Sequence, residues 1–427
     1  MFGGNLNLSR LAMLAATGIL AGSVSANAAD LGGNCCADLE ERVAELEATT
    51  ARKGNRQVSL TVYGQVNEMI MFWDDGTETN AYVGTNDDSR SRFGFKGNAR
   101  INSDWSAGYT IEVGVRTARS DRWSQTSSGD TVALDLRKSY WYLQSKTFGK
   151  VSVGRESTVD SGIFGINLAR VNAPVYDDWQ DRFRVTNPAG GFIGGVSYDE
   201  TKALFTASSG FTRQNIVRYD SPTFAGFKFS ANWGEDDYWA VALRYAGEFG
   251  GFRVAAGASY GWTNDANTKG DAEGCTEVGG ASDCENIGVG ASIMHSATGL
   301  FVSGAYAQFK DNNRVVAPGV ASDDTDTNWL VMAGIEQRWN SLGKTTIYGA
   351  YYEGENTSGF ANNGGALGFD FASQQMWSIG LNQQISAAAM DLYIAYYNAS
   401  ADLSDAGVTT ATGDSLQAVI TGAKIRF

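Results

Sequence analysis

The chain has 427 residues, with 33 basic and 47 acidic side chains and a formal net charge of −14. Aromatic content of 12% is too high for disorder, and the acidic balance excludes a nucleic-acid binder, which needs a basic face to neutralise phosphates. No interior stretch is apolar enough over about 20 residues to cross a membrane as a helix, and the single His argues against His-based catalysis and His-rich metal sites, so no enzyme activity and no cofactor are expected.

Arg10 precedes the apolar residues 11–16 and 18–22, and Ala26-Asn27-Ala28 supplies a small-x-small cleavage pattern. Residues 1–28 therefore read as a secretory signal peptide, the alternative being an uncleaved anchor. Cleavage removes Arg10 and takes the net charge from −14 to −15. Export permits disulfides. Cys275 and Cys284 lie nine apart in a polar, Gly-rich stretch, which suits a loop disulfide. Cys35 and Cys36 are adjacent and would be strained as a pair, leaving intermolecular bonding and free thiols both open. Spacing and the lone His295 speak against zinc.

Residues 29–57 form a periplasmic segment in this reading. Leu39, Val43 and Leu46 share 4,3 spacing in a strongly helix-forming run over 37–53. That allows a short helix with about two coiled-coil heptads, or a partly helical linker, since an isolated helix of this length is marginal.

From Val58 to Phe427 the hydrophobic period becomes two. Phe227, Phe229, Ala231 and Trp233 alternate with Lys228, Ser230, Asn232 and Gly234, and Ile287, Val289, Ala291 and Ile293 alternate with Gly288, Gly290 and Ser292. Such segments are strands with one apolar and one polar face. Sixteen are expected, near 58–73, 89–101, 105–118, 133–146, 150–156, 214–221, 226–234, 238–249, 252–263, 286–295, 299–309, 327–338, 344–353, 374–385, 389–399 and 415–427. Short turns alternate with long links, the pattern of an antiparallel transmembrane β-barrel with apolar residues facing lipid and polar residues facing water. Trp329 and Trp339 share parity, and their ten-residue separation spans roughly 23 Å of membrane normal at about 45° tilt, close to the apolar band between aromatic girdles. The fold class is all-β, a 16-stranded barrel over 58–427, and sixteen strands leave an aqueous channel rather than a packed core. Gly257-Ala-Ser259-Tyr-Gly261 matches the hydrolase nucleophile elbow but falls inside a clean strand, where that turn has no place.

Three features resemble the porins of alphaproteobacterial (rhizobial) outer membranes. One is the run from Leu136-Arg137-Lys138 through Phe148-Gly149 to Gly154-Arg155, similar to a porin hairpin opened by Arg, turned by Phe-Gly and closed by Gly-Arg. Another is the acidic, helix-forming stretch from Asp38 before the first strand, and the last is the terminal strand ending in Phe427. The resemblance implies a homotrimeric passive diffusion pore for ions and small hydrophilic solutes in the Gram-negative outer membrane, surrounded by lipid and lipopolysaccharide. Phe427 would be read by the barrel-assembly machinery. It also allows anchoring to peptidoglycan through Ala29-Asp30, and implies a constriction loop within the 57-residue link 157–213, whose segment 161–171 is apolar enough to pack on a wall. Alternatives are a substrate-specific channel of the same architecture and a barrel serving chiefly as an envelope anchor.

Parity also suggests the field of the pore. Arg90, Arg92, Lys96 and Arg100 share one face while Phe93, Phe95, Ala99 and Ile101 hold the other. The basic set is assigned to the lumen, because a charge facing mid-bilayer lipid costs about 2–4 kcal/mol. Arg116 and Arg137 have the same status on the next two strands. Opposite them, Asp177, Asp178 and Asp181 in the long loop would complete a transverse field. Acidic outer loops lean net selectivity weakly toward cations.

Overall fold

The protein is described here from a computed structural model covering residues 57–129, 132–169, 171, 179–201, 213–234, 237–264, 282–313, 324–356, 369, 371–405 and 408–427. The expected signal peptide, the helix over 37–53, Ala29-Asp30, Cys35, Cys36, Asp177, Asp178 and Cys275 lie outside the described residues.

One sheet contains eighteen hydrogen-bonded segments, and two strands are each split into two, giving sixteen. In chain order they are β1 (Thr61–Asp74), β2 (Thr79–Thr85 and Arg92–Arg100), β3 (Trp105–Arg116), β4 (Ala133–Ser145), β5 (Gly149–Glu156), β6 (Gln214–Asp220), β7 (Phe227–Gly234) and β8 (Trp239–Phe249). There follow β9 (Phe252–Thr263), β10 (Cys284–His295), β11 (Leu300–Asp311), β12 (Thr325–Gln337), β13 (Thr345–Asn356), β14 (Phe371–Ile385), β15 (Met390–Asp405) and β16 (Val408–Thr412 and Leu416–Arg426). Each pairs antiparallel with its neighbours. The sheet closes where β1 meets β16, in register from Gln65 opposite Arg426 to Asp74 opposite Gln417. Phe427 completes the seam: its N–H donates to the Gly64 carbonyl at 3.1 Å and its carbonyl accepts from the Gly64 N–H at 2.9 Å. Closure leaves no unpaired sheet edge in lipid.

Alternation decides the two faces. On β10, Ile287, Val289 and Ile293 are exposed while Asn286 and Ser292 are buried. The outward set is the lipid belt. Exposed aromatics cluster near the strand ends, where Trp329 stacks beside Tyr351 at 5.2 Å and Trp377 beside Tyr396 at 5.2 Å. At the other end, Phe227 meets Tyr245 at 4.7 Å and Trp105 meets Phe148 at 6.3 Å. Turns at this second end are short. Gly250 and Gly251 join β8 to β9 with φ of 57° and 81°, the left-handed pair that a two-residue hairpin turn requires. Short turns mark the periplasmic side, so the long links are extracellular. Ser259 sits mid-strand opposite Ala242 and Gly288, not on an elbow.

The sequence reading departs from the structure in two places. The extracellular extensions Thr79–Thr85 of β2 and Val408–Thr412 of β16 were not anticipated. More consequentially, the inner face is not polar throughout. Met69, Met71 and Trp73 on β1, Leu330 and Met332 on β12, and Tyr352 and Met376 on β13 and β14 are all buried on the lumen side. What covers them is the long link between β5 and β6.

Candidate pore constriction

Strands β5 and β6 are neighbours, in register from Lys150 opposite Asp220, so residues 157–213 leave and re-enter the wall at the same place. Instead of standing outside, the described part of this loop folds inward. Its first turn is held by polar anchors. The Val159 N–H donates to Asn232 Oδ1 at 2.8 Å, and Arg244 Nη2 donates to the carbonyls of Val159 at 2.6 Å and Ser161 at 3.0 Å. Asp160 is fully buried and accepts from Tyr238 Oη at 3.0 Å and Asn286 Nδ2 at 3.2 Å. Burial pushes the Asp160 carboxyl above its ordinary range, against the hydrogen bonds that lower it.

The next residues lie in a trough made by glycine. Gly257 and Gly290 face each other on β9 and β10. A Cβ at Gly257 would stand 2.7 Å from Ile166 Cδ1 and 2.8 Å from Ile163 Cδ1, and one at Gly290 would collide with the Ile163 carbonyl. Farther on, the Leu168 N–H donates to Ser292 Oγ at 3.1 Å, and Phe164 meets Tyr352 at 6.5 Å. The loop continues in a two-stranded hairpin, Arg184–Thr186 with Phe192–Ser197. Its apolar side is pinned by Trp179, Phe183 and Tyr198, all buried. Phe183 packs on Trp73 at 5.0 Å, Trp179 on Tyr397 at 5.8 Å, and Tyr198 Oη donates to the Ala399 and Asp414 carbonyls. The loop thus covers the inner wall on the β8–β16 and β1 side.

The wall left open carries the charges. Arg90 Nη1 and Arg116 Nη2 both meet Asp135 Oδ2, at 3.3 and 2.7 Å. Arg90 also pairs with Asp87 at 2.6 Å, which bridges to Arg119 at 3.1 Å. Arg92 and Arg137 share Glu112, at 3.8 and 2.9 Å. The β3–β4 register slips between Glu112 and Val113, so that Glu112 opposes Lys138 while Val113 opposes Leu136. Arg137 is the extra residue of this β-bulge. The bulge puts two consecutive basic residues on the face of Glu112, while Leu136 points outward at 50% exposure. A second tier gathers on Asp220, which accepts both ends of the Arg218 fork at 3.1 and 2.9 Å. It also meets Lys228 at 3.1 Å and Lys150 at 3.4 Å.

Four of the basic residues expected from parity, Arg90, Arg92, Arg116 and Arg137, therefore converge on shared carboxylates. The other two stand apart. Lys96 Nζ lies 5.3 Å from the Tyr63 ring centre, and Arg100 Nε donates to the Asn102 carbonyl at 2.9 Å. Among the described residues neither meets a carboxylate within 4 Å. Of the three acids expected to oppose the basic wall, Asp177, Asp178 and Asp181, only Asp181 is described; it is buried, 8% exposed. Cys284 is disulfide-bonded, and its partner lies outside the described residues.

The sequence reading missed Lys138, whose parity is broken by the bulge, and Arg213 at the loop's return. Burial, then the like charges of Arg137 and Arg90, push the Arg213 guanidinium down to about 9, which leaves it cationic at neutral pH. It also missed Glu112 and Asp135, whose parity with Arg116 and Arg137 was readable. Among the described residues no cluster of metal-binding side chains occurs.

A closed sixteen-stranded barrel with an apolar belt, a charged inner wall and an inward-folded loop defines an outer-membrane channel. The chain belongs to the Gram-negative porin family, matching it over residues 11–412. It forms a diffusion channel in the outer membrane and is not an enzyme. Solved structures similar to it include OmpT of Vibrio cholerae in a trimer form, at 15% identity over 87% of this chain and 99% of that one, with a TM-score of 0.54. An anion-selective porin from Comamonas acidovorans is similar at 20% identity, covering 87% and 100%, TM-score 0.54. OmpF of Salmonella typhi in complex with daunomycin is similar at 14% identity, covering 87% and 98%, TM-score 0.54. At these identities the likeness is one of fold. No curated protein matches the sequence.

Proposed function

We propose that the channel is a passive, water-filled route for ions and small hydrophilic solutes, narrowed where the long loop faces the basic wall. The observation that carries this reading is the division of the lumen. One side is apolar and covered by the loop, while β2–β6 present Arg90, Arg92, Arg116, Arg137, Lys138 and Arg218. Asp177, Asp178 and Asp181, placed in the loop, supply the opposing sign. A transverse field of this kind orients dipolar solutes and disfavours apolar ones, which would have to displace ordered water. The guanidinium side offsets the lean toward cations set by the acidic outer loops.

The chain works as a homotrimer of the alphaproteobacterial type in this proposal, embedded in lipid and lipopolysaccharide, assembled through recognition of Phe427 and joined to peptidoglycan at Ala29-Asp30. Support for the trimer is the trimer form of the similar Vibrio cholerae protein; support for the rest is the sequence resemblance. The test of the field is the reversal potential in a salt gradient for Asp177, Asp178 and Asp181 changed together to Asn. A shift toward anions is expected, and an unchanged potential overturns the transverse field. Conductance steps in multiples of three support the trimer, and saturable block by one solute would favour a substrate-specific channel.

A further inference from the structure

Above the constriction, at the extracellular end, an open cavity of about 330 Å³ lies between residues 122–126 and the loop hairpin. That is within the size range of small-molecule sites. Its lining includes Arg122, Arg182 and Arg184 with Gln125 and Phe192, and no carboxylate among the described residues. The arginines are held by what lies beneath them. Phe183 is buried against Trp73 and Trp179, while Arg182 and Arg184 on either side of it are exposed and line the cavity. The Arg184 backbone is clamped to the neighbouring loop. Its N–H donates to Gln125 Oε1 at 2.9 Å, and its carbonyl accepts from Gln125 Nε2 at 2.9 Å. The Arg184 guanidinium stacks 5.2 Å from the centre of the Phe192 ring, which holds the fork in place and leaves an aromatic edge in the cavity.

Among the described residues the charge there is only partly compensated. Farther down, Arg90, Arg92, Arg116, Arg119 and Arg137 share Asp87, Glu112 or Asp135. In the cavity, Arg122 meets Asp121 at 3.6 Å and no other described carboxylate within 4 Å. Among the described residues Arg182 and Arg184 meet no carboxylate within 4 Å. Guanidinium forks without a partner match the planar oxygens of carboxylate and phosphate.

We propose that Arg122, Arg182 and Arg184, with Phe192, form a binding site for small solutes that carry a phosphate or carboxylate beside an aromatic ring. The site is separate from the constriction and requires the barrel fold, not the selectivity proposed above. Because binding is read at equilibrium, failure of the transverse field leaves its test intact.

The probe is phenyl phosphate, with inorganic phosphate for comparison, titrated calorimetrically into the purified full-length protein in detergent at low salt. Saturable binding is expected, tighter for phenyl phosphate and weakened by salt. Changing Arg182→Gln and Arg184→Gln together should lower affinity roughly tenfold or more, since charge-assisted bonds are lost, with the melting temperature of the barrel unchanged. The pair Arg182→Lys and Arg184→Lys keeps the charge and the fold but loses the fork, and should recover only part of the affinity. Phe192→Ala should abolish the preference for the phenyl ester. Equal affinity in the wild type and the glutamine pair, or no saturable binding, overturns the proposal. Lipopolysaccharide that co-purifies with the wild type and is lost from the glutamine pair, with phenyl phosphate failing to compete, also overturns it, because the anion would then be a lipid headgroup.

Discussion

Asp160→Ala is the sharpest test of the loop's seat. The substitution removes a fully buried carboxyl and the two hydrogen bonds it accepts, from Tyr238 at 3.0 Å and Asn286 at 3.2 Å. Losing a buried partner costs about 1–3 kcal/mol per bond, so the seat weakens by about 2–6 kcal/mol. At about 1.4 kcal/mol per decade, the loop should detach roughly 30-fold to 20,000-fold more often. The barrel itself should persist, because its ladders are untouched and Arg244 still holds the Val159 and Ser161 carbonyls. Single-channel recording should show larger, noisier conductance, and trypsin should cut the loop after Arg182 or Arg184. Asp160→Asn, which keeps one acceptor, should fall between. Conductance and cleavage identical to wild type for Asp160→Ala would refute the idea that this carboxyl holds the constriction. The same group sets a pH dependence. Its seated pKa is raised by burial, so the seated loop binds a proton that the detached loop gives up. Seating is therefore tightest in acid and weakens as pH rises through the interval between the free carboxyl value, about 3.9, and the raised one. Tyr238 and Arg244 face the same carboxyl, and Arg244 offsets part of the trend by favouring the anion. Asp160→Asn should flatten the conductance–pH curve; a curve unchanged by that substitution counts against the assignment.

Other perturbations probe neighbouring parts. Gly290→Val would drive a side chain into the Ile163 carbonyl; expression should survive while the loop is lifted from the wall, read as altered conductance with an unchanged melting temperature. Changing Lys138→Gln should shift reversal potential toward cations about as much as Arg92→Gln, and no shift would mean that the bulge does not turn it to the lumen. Removing Phe427 should reduce outer-membrane levels more than it lowers the melting temperature of refolded barrel, whose seam loses two backbone bonds; normal levels would refute the assembly role. Non-reducing mass spectrometry should find Cys275 joined to Cys284, and both thiols free would reject the pairing.

The strands were legible because lipid enforces their period. A transmembrane strand has no freedom to mix its faces, so Ile287, Val289 and Ile293 or Phe227, Phe229 and Trp233 announce themselves. The charges of the constriction were half legible. Arg90, Arg92, Arg116 and Arg137 followed from parity, but parity presumes regular pairing. One bulged residue between Glu112 and Leu136 was enough to hide Lys138. The carboxylates that bridge the arginines, Glu112 and Asp135, carry the same parity signal, since Glu112 shares a face with Arg116 and Asp135 with Arg137.

The place where the loop docks was also written in the sequence, in a form that strand-by-strand reading obscures. A strand between lipid and water needs only one apolar face. On β12, Trp329 and Val331 point to lipid, yet Leu330 and Met332 between them are apolar too, and both are buried. On β1, Ile70 faces lipid while Met69 and Met71 face inward. Apolar side chains on both parities have no reason to line a water-filled lumen, since leaving them wet forfeits about 25 cal/mol for each Å² of apolar surface. They require a cover from inside, and the one long link rich enough in Ile, Phe and Trp to provide it is 157–213. Strands apolar on both faces therefore map the docking side, strands with basic inner faces map the open side, and the position of the constriction follows from where one set gives way to the other.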